Sequence, residues 1–108
     1  MLPNLPGPVA AYLAAEKAKD TESLDRCFSA DAIVHDEGRD YRGIAAIKAW
    51  KQEVDAKYRY VLEPLAASAS NNQVTLRARL TGQFPGSPVE VDFRFTVGDD
   101  KITSLEIG

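Results

Sequence analysis

The stretch QVTLRARLTGQFPGSPVEVDFRFTV, residues 73–97, contains two runs in which apolar and polar residues alternate. Because successive side chains of a β-strand point to opposite faces, this period of two predicts two strands that each bury one face. The segment FPGSP between the runs predicts the turn that joins them. The apolar positions of the predicted buried face are Val74, Leu76, Ala78, Leu80, Val89, Val91, Phe93, Phe95 and Val97.

One further strand is predicted on each side of this pair. Residues 58–62 alternate between large apolar and smaller or polar side chains, and ITSLEI, residues 102–107, reads as the last strand. In that last strand Ile102 is out of phase with Leu105 and Ile107, which predicts a β-bulge. The second half of the chain is therefore predicted to be an antiparallel meander of four strands.

The first half has the spacing of helices, interrupted by one short strand. Apolar residues within 5–16 recur at helical spacing, with the prolines placed before the helix or in its first turn. A second helix is predicted in KDTESLDRCF, residues 19–28, capped by Asp20 or Thr21. AIVHD, residues 32–36, predicts a short strand. The buried stripes of the second helix and of a third one, which begins after Gly43, are Leu24, Cys27, Phe28, Ile44, Ile47, Trp50, Val54 and Tyr58.

These elements predict an α+β fold in which three N-terminal helices pack on a curved antiparallel sheet. The 108 residues suffice for one domain and are too few for two, so that residues 1–108 are expected to form a single domain. No composition shift or repeat divides the chain.

Composition and charge exclude several classes of partner. The net charge is −3 and the pI is near 5.1, which argues against nucleic acid or an anionic membrane as the main partner. No apolar stretch reaches the roughly 18 residues that a membrane-spanning helix needs. The single cysteine permits no intramolecular disulfide, and the first basic residue is Lys17, which argues against a secretory signal. A soluble, cytoplasmic protein is expected.

Metal and cofactor chemistry is also not expected. One histidine and one cysteine, without a paired-ligand motif, do not make a zinc site, and no dinucleotide fingerprint is present. Arg77, Arg79 and Arg94 lie on the polar face of the sheet, but the aromatic residues have the opposite parity, unlike in a sheet that reads RNA. This face is predicted to be either a solvated, mixed-charge surface or a dimer interface.

The order of these segments resembles that of a known group of proteins. The most specific segment is FSADAIVHDEGRDYRGIAAIKAW, residues 28–50. It is similar to the SnoaL-like and ketosteroid isomerase-like families of the nuclear transport factor 2-like superfamily, and the resemblance covers nearly the whole chain. It implies a cystatin-like cone, in which a curved sheet wraps around helices and leaves a pocket for an apolar small-molecule ligand. Members are often homodimers, which favours a homodimer formed through the sheet.

The resemblance also implies two catalytic residues. The isomerases carry a tyrosine on the first helix, which corresponds to Tyr12, and an aspartate base at the end of the first strand, which corresponds to Asp36. In ketosteroid isomerase the tyrosine and a protonated aspartic acid donate hydrogen bonds to the enolate oxygen. Here Phe93 takes the position of that acid, while the parity of the strand points Asp92 outward. With one donor missing, efficient steroid isomerase chemistry is not expected.

Other residues are candidates for the pocket wall, each with a structural alternative. Asp36 is either a base whose pKa is raised by desolvation or an aspartate that caps the following turn. His35 has the opposite strand parity, so it is either a second base or a surface histidine. Tyr12 is either a donor in the pocket or a core tyrosine, and Tyr41 either closes the mouth or lies on the surface. The remaining candidates for ligand contact, which can equally be core residues, are Val34, Trp50, Tyr58 and Phe93.

Three functions remain open from the sequence. The first is an enzyme of isomerase or cyclase type, without a cofactor, that transfers a proton next to a carbonyl group. The second is a ligand-binding protein of the same fold without chemistry. The third is a dimerisation module in which side chains fill the cavity.

Overall fold

The first helix begins directly after the proline-rich start of the chain. The computed structural model describes residues 5–108. Helix α1 spans Gly7–Ala18 and has Pro8 in its first turn, where a missing N–H leaves no hydrogen bond unmade. It ends at Lys19, whose φ of 54° is left-handed. Tyr12 on this helix is fully buried.

The second helix is shorter than the sequence predicted. A 3₁₀ turn at Thr21–Ser23 leads into α2, Leu24–Cys27, and the predicted last helical residue, Phe28, instead begins a strand. The three residues of the predicted stripe are all buried, so the pattern is right about burial and wrong about the element for Phe28 alone. An apolar run at an element boundary satisfies either period, which is why the sequence extended the helix into the strand.

The third helix, α3, spans Ile44–Tyr58 and carries the strongest apolar stripe of the chain. Ile47, Trp50 and Val54 are buried along the stripe, as predicted, whereas Ile44 at its start and Tyr58 at its end are only half-buried. The helix ends at Arg59, which has a left-handed φ of 46° and therefore caps the helix instead of belonging to a strand. No helix within residues 5–108 is long and apolar enough to cross a membrane.

Within residues 5–108 the sheet is curved and has six strands, numbered in chain order: β1, Phe28–Asp36, β2, Arg39–Arg42, β3, Val61–Ser70, β4, Gln73–Thr81, β5, Val89–Gly98, and β6, Lys101–Ile107. Their order across the sheet is β2-β1-β6-β5-β4-β3. The predicted antiparallel meander of four strands is present as β3 to β6.

The other two strands correct the prediction. The first, β1, spans Phe28–Asp36 and pairs with β6 in parallel, so the sheet is not wholly antiparallel. The short strand β2, Arg39–Arg42, forms a hairpin with β1 where the sequence predicted only a turn. Since α3 follows both strands, only the first two helices are N-terminal to the sheet. Alternation reveals which face is buried but not the partner or direction of a strand, so the parallel pair was not predictable.

The inner face of the sheet supplies most of the core. In β6 the pairing shifts from Thr96↔Ser104 to Val97↔Ile102, which leaves Thr103 as an extra residue. This irregularity is the bulge that the sequence predicted. It explains how Ile102 and Leu105, three residues apart, can both be fully buried.

The outer face of the sheet carries positive and negative side chains that form ion pairs. The side chain of Arg77 lies 3.1 Å from Asp92, that of Arg79 lies 3.3 Å from Glu63, and that of Arg94 lies 3.6 Å from Asp92. Asp92 therefore points outward, as strand parity predicted. Each of the three arginines has a carboxylate partner within its own chain, which fits the mixed-charge surface expected for this face.

Candidate ligand cavity

A cavity of about 610 Å³ lies between α3 and the sheet. Its wall is mainly apolar and is supplied by α3, by strands β4 and β5, and by the segment that joins them. Gly82 in that segment packs directly on the start of β3, because a Cβ at this position would lie 2.8 Å from the Cα of Tyr60. The residues that line the cavity are Asp36, Glu37, Trp50, Val54, Tyr58, Tyr60, Leu80, Phe84, Pro85, Val89, Val91, Phe93, Ile107 and Gly108.

Asp36 is the last residue of β1 and places its carboxylate in this wall. Its Oδ2 accepts a hydrogen bond of 2.9 Å from Nε1 of Trp50 on α3. Burial raises the pKa of Asp36, the hydrogen bond from Trp50 opposes the rise, and the negative charge of Glu37 adds to it. The pKa of Asp36 is therefore raised overall, which is the direction expected from desolvation.

His35 does not line this cavity. Its Nδ1 lies 2.5 Å from Oδ1 of Asp40 across the β1–β2 hairpin, and 40% of its side chain is exposed. Neighbouring side chains of a strand point to opposite faces. Because the side chain of Asp36 points to the cavity, that of His35 points away from it. Of the two adjacent candidates, the geometry associates only Asp36 with the cavity.

The outer end of the cavity is formed by Glu37 and Tyr58. The Tyr58 hydroxyl donates a hydrogen bond of 2.5 Å to Oε1 of Glu37, and both groups are largely in contact with solvent. Phe84 packs edge-on against Tyr58, with ring centroids 5.6 Å apart. Outside them, Nζ of Lys57 lies 5.0 Å from the centroid of the Tyr58 ring.

Besides His35, three further predicted pocket residues do not line the cavity. Val34 is fully buried in the core and does not line the cavity. Tyr41 stacks at an angle on Trp50, with ring centroids 6.2 Å apart, and supports the wall from behind. Tyr12 lies in an aromatic cluster with Phe93 and Phe95, so its ring packs against a lining residue instead of lining the cavity itself.

The Tyr12 hydroxyl is a buried donor without a hydrogen-bond partner among residues 5–108. Burial raises its pKa well above the usual value, and the negative charge of Glu16 adds to this effect. The hydroxyl therefore stays protonated and can donate its proton in a hydrogen bond. That this hydroxyl donates a hydrogen bond to a ligand oxygen stays a prediction.

Replacing this tyrosine by phenylalanine, Tyr12→Phe, removes the hydroxyl and keeps the ring. Because a buried polar group without a partner costs about 1–3 kcal/mol, we expect the free energy of unfolding to stay unchanged or to rise by up to that amount. Urea unfolding followed by fluorescence measures the change. A loss of more than about 1 kcal/mol, the usual worth of a single hydrogen bond, would show that the hydroxyl has a partner in the folded protein.

Sequence reasoning missed a buried ionic cluster behind the cavity. Nζ of Lys51 lies 2.6 Å from Oε2 of Glu16, donates a hydrogen bond of 2.8 Å to the Tyr60 hydroxyl and contacts the carboxylate of Asp55. Lys19 joins from the surface side, 3.1 Å from Glu16. Burial raises the pKa of Tyr60, as do the nearby carboxylates. The sequence does contain a signal that Lys51 is buried, because it follows Ile47 by four residues and so lies on the apolar stripe of α3.

Sequence reasoning also missed much of the apolar wall. The sequence predicts only a turn at FPGSP, yet its Phe84 and Pro85 line the cavity. Leu80 and Val91 lie on the predicted buried face of the sheet and also line the cavity. Within residues 5–108, no group of three or more His, Cys, Asp or Glu side chains is placed to hold a metal ion.

Comparison with known proteins agrees with this geometry. A family model described as SnoaL-like domain matches residues 9–105. A structure from Sinorhizobium meliloti, described as a "putative polyketide cyclase", is 38% identical, with a TM-score of 0.94 and coverage of 96% of this chain and 95% of that one. A comparison with curated proteins gives no match.

Two more distant structures share the fold. A Catenulispora acidiphila protein with a ketosteroid isomerase-like fold, solved in complex with trimethylamine, is 25% identical, with a TM-score of 0.82 and coverage of 97% and 86%. A cystatin-fold protein from Novosphingobium aromaticivorans is 20% identical, with a TM-score of 0.79 and coverage of 94% of both chains. The family match spans most of the chain, and these neighbours have the nuclear transport factor 2-like, cystatin-like architecture that the sequence suggested. The chain therefore belongs to the SnoaL-like domain family.

Proposed function

We propose that this protein is a small-molecule enzyme of isomerase or cyclase type, which transfers a proton at a carbon next to a carbonyl group. The observation that carries the proposal is the desolvated carboxylate of Asp36 in the wall of an apolar cavity. A carboxylate with a raised pKa is a stronger base than one in water, and a mainly apolar wall suits the carbon skeleton of an organic substrate.

Asp36 acts as the general base in this proposal. The indole N–H of Trp50 holds one carboxylate oxygen, Oδ2, which leaves Oδ1 to approach the substrate. The C–H bond breaks, its proton moves to Oδ1, and its electron pair passes into an enolate whose charge rests on the former carbonyl oxygen. Return of the proton to another carbon gives an isomer. Alternatively, the enolate carbon attacks a second carbonyl carbon of the same molecule and closes a ring, and the alkoxide formed from that carbonyl takes the proton back from Asp36.

Tyr12 is the donor we assign to the enolate oxygen. Its hydroxyl is buried and protonated, and the negative charge of Asp36 is among the influences on its pKa. Because Phe93 lines the cavity where a second donor would be needed, we expect one donor in place of two. Loss of one such donor typically slows a reaction by about 10²–10³-fold, so slow turnover is expected.

A cyclase function has support from the Sinorhizobium meliloti structure, which is 38% identical to this chain and is described as a "putative polyketide cyclase". The alternative is a ligand-binding protein without chemistry. It is favoured by the position of Tyr12, whose ring lies outside the cavity wall. The open volume of about 610 Å³ argues against a module whose cavity is filled by side chains.

The test is incorporation of solvent deuterium into small cyclic ketones and enones, followed by proton NMR. We expect the wild-type protein to exchange hydrogens next to the carbonyl faster than buffer alone does. Shifted protein resonances around the cavity without exchange would support the ligand-binding alternative. The absence of both would contradict the proposed function.

We also propose a homodimer formed through the outer face of the sheet. Arginine is enriched at interfaces, and Arg77, Arg79 and Arg94 are held in place there by carboxylates of the same chain. Sedimentation equilibrium at micromolar concentration should give twice the mass of 11.8 kDa. A mass equal to that of one chain would contradict the dimer.

A further inference from the structure

We infer that the ligand of this cavity carries a positively charged group, such as a quaternary ammonium, which binds at the outer end formed by Glu37, Tyr58 and Phe84. The inference rests on the proposed function, because it takes the same cavity as the substrate site. It adds the charge of the substrate, which neither the fold nor the reaction class specifies.

The first argument is the charge of the wall. Two lining residues, Asp36 and Glu37, carry carboxylates, and no Lys, Arg or His is among the lining residues of the described chain. Low-dielectric walls focus the field of such charges into the cavity. This field attracts a cationic ligand, has little effect on a neutral one and repels an anionic one.

The second argument is the aromatic surface beside the outer carboxylate. Tyr58 and Phe84 meet edge-to-face, and the hydroxyl of Tyr58 binds Glu37. Aromatic rings attract cations through their faces, and quaternary ammonium groups are bound in sites made of such rings. Lys57 already places its ammonium 5.0 Å from the Tyr58 ring, which shows that a cation is accommodated against it.

The charges of the protein neutralise this site only in part. The ammonium of Lys51, a buried cation, is engaged by Glu16 and Asp55 behind Tyr60. Lys57 lies outside the lining, on the solvent side of the outer end, where Tyr58 and the negative charge of Glu37 raise its pKa. Because neither lysine lines the cavity, a cationic ligand inside it would be the nearest positive charge to the two lining carboxylates.

The arrangement also separates recognition from chemistry. Glu37 and Asp36 both line the cavity, so one small molecule can contact both side chains. Glu37 is exposed at the outer end, whereas Asp36 is partly buried and held by Trp50. A cation held by Glu37 would leave Asp36 free to accept a proton.

The experiment compares choline with 3,3-dimethylbutan-1-ol, which has the same shape but carries carbon in place of the charged nitrogen. Both are titrated into the wild-type protein at low salt, and dissociation constants are taken from ¹H–¹⁵N chemical shifts of residues around the cavity. We expect choline to bind about tenfold more tightly, through ionic and cation–π attraction together. Equal or tighter binding of the neutral alcohol, or no binding of choline, would overturn the inference.

Variants at the outer end locate the binding site. Glu37→Gln should remove most of the preference for choline and leave the affinity for the alcohol unchanged. The control Asp40→Asn removes a carboxylate of the same hairpin that pairs with His35 outside the cavity, so the preference should persist. If Asp40→Asn lowers the preference as much as Glu37→Gln does, the effect is one of net charge and the site is wrong. Deuterium exchange into neutral ketones is measured separately, so that failure here does not decide the proposed reaction.

Discussion

The variant Lys51→Met is expected to lower the free energy of unfolding by about 3–5 kcal/mol, because it leaves buried carboxylates without their cation. Only 3% of the Lys51 side chain and 2% of the Glu16 side chain are exposed. Methionine preserves the apolar stem of the lysine, so that the loss reports the charge and the hydrogen bond to Tyr60. Urea denaturation at neutral pH, followed by tryptophan fluorescence, measures it.

Lys48→Met on the same helix is the matched control. Lys48 pairs with Glu22 at 3.5 Å and with Asp25 at 3.8 Å, and these carboxylates are mostly exposed. Exposed pairs contribute about 0.2–1 kcal/mol, so this variant should change stability by no more than that. If both variants lose similar amounts, the buried cluster is not the special feature of α3 that the structure indicates.

The second large effect is on the proposed reaction. Asp36→Asn should lower the rate of deuterium exchange by about 10²–10⁴-fold, the usual contribution of a positioned general base. The loss should not come from unfolding. Asn can still accept the hydrogen bond from Trp50, and it removes a charge that burial disfavours.

The pH dependence of stability checks this statement. The pKa of Asp36 in the folded protein lies above its ordinary value of 3.8. As the pH rises from 3.8 through the folded-state pKa, the unfolded protein loses this proton first, so the free energy of unfolding falls. At neutral pH Asp36→Asn should therefore be at least as stable as the wild type. Asp31→Asn, at an exposed aspartate of the same strand, should change neither rate nor stability. Equal exchange rates for the wild type and Asp36→Asn would remove Asp36 from the mechanism.

The extent to which the sequence predicted the fold follows from what periodicity encodes. Alternation in residues 73–97 gave β4 and β5, and the phase of Ile102 gave the bulge, because both depend on which face is buried. The parallel pairing of β1 with β6 depends on a partner about 70 residues away, which no local pattern contains.

The candidate site was predictable in part for the same reason. Strand parity separated Asp36 from His35, and helical spacing placed Trp50 near the cavity. Tyr12 has the right spacing for its helix, but its depth behind Phe93 depends on how the helix docks on the sheet. The contribution of Phe84 depends on the path of a turn, which sequence marks only as a turn.

The most direct test of the account is the titration of the Asp36 carboxyl carbon by NMR, since the proposed base must be a desolvated carboxylate in the cavity. The account predicts a midpoint for Asp36 that lies above the ordinary value of 3.8. A midpoint at or below 3.8 would show a solvated turn aspartate and contradict the account.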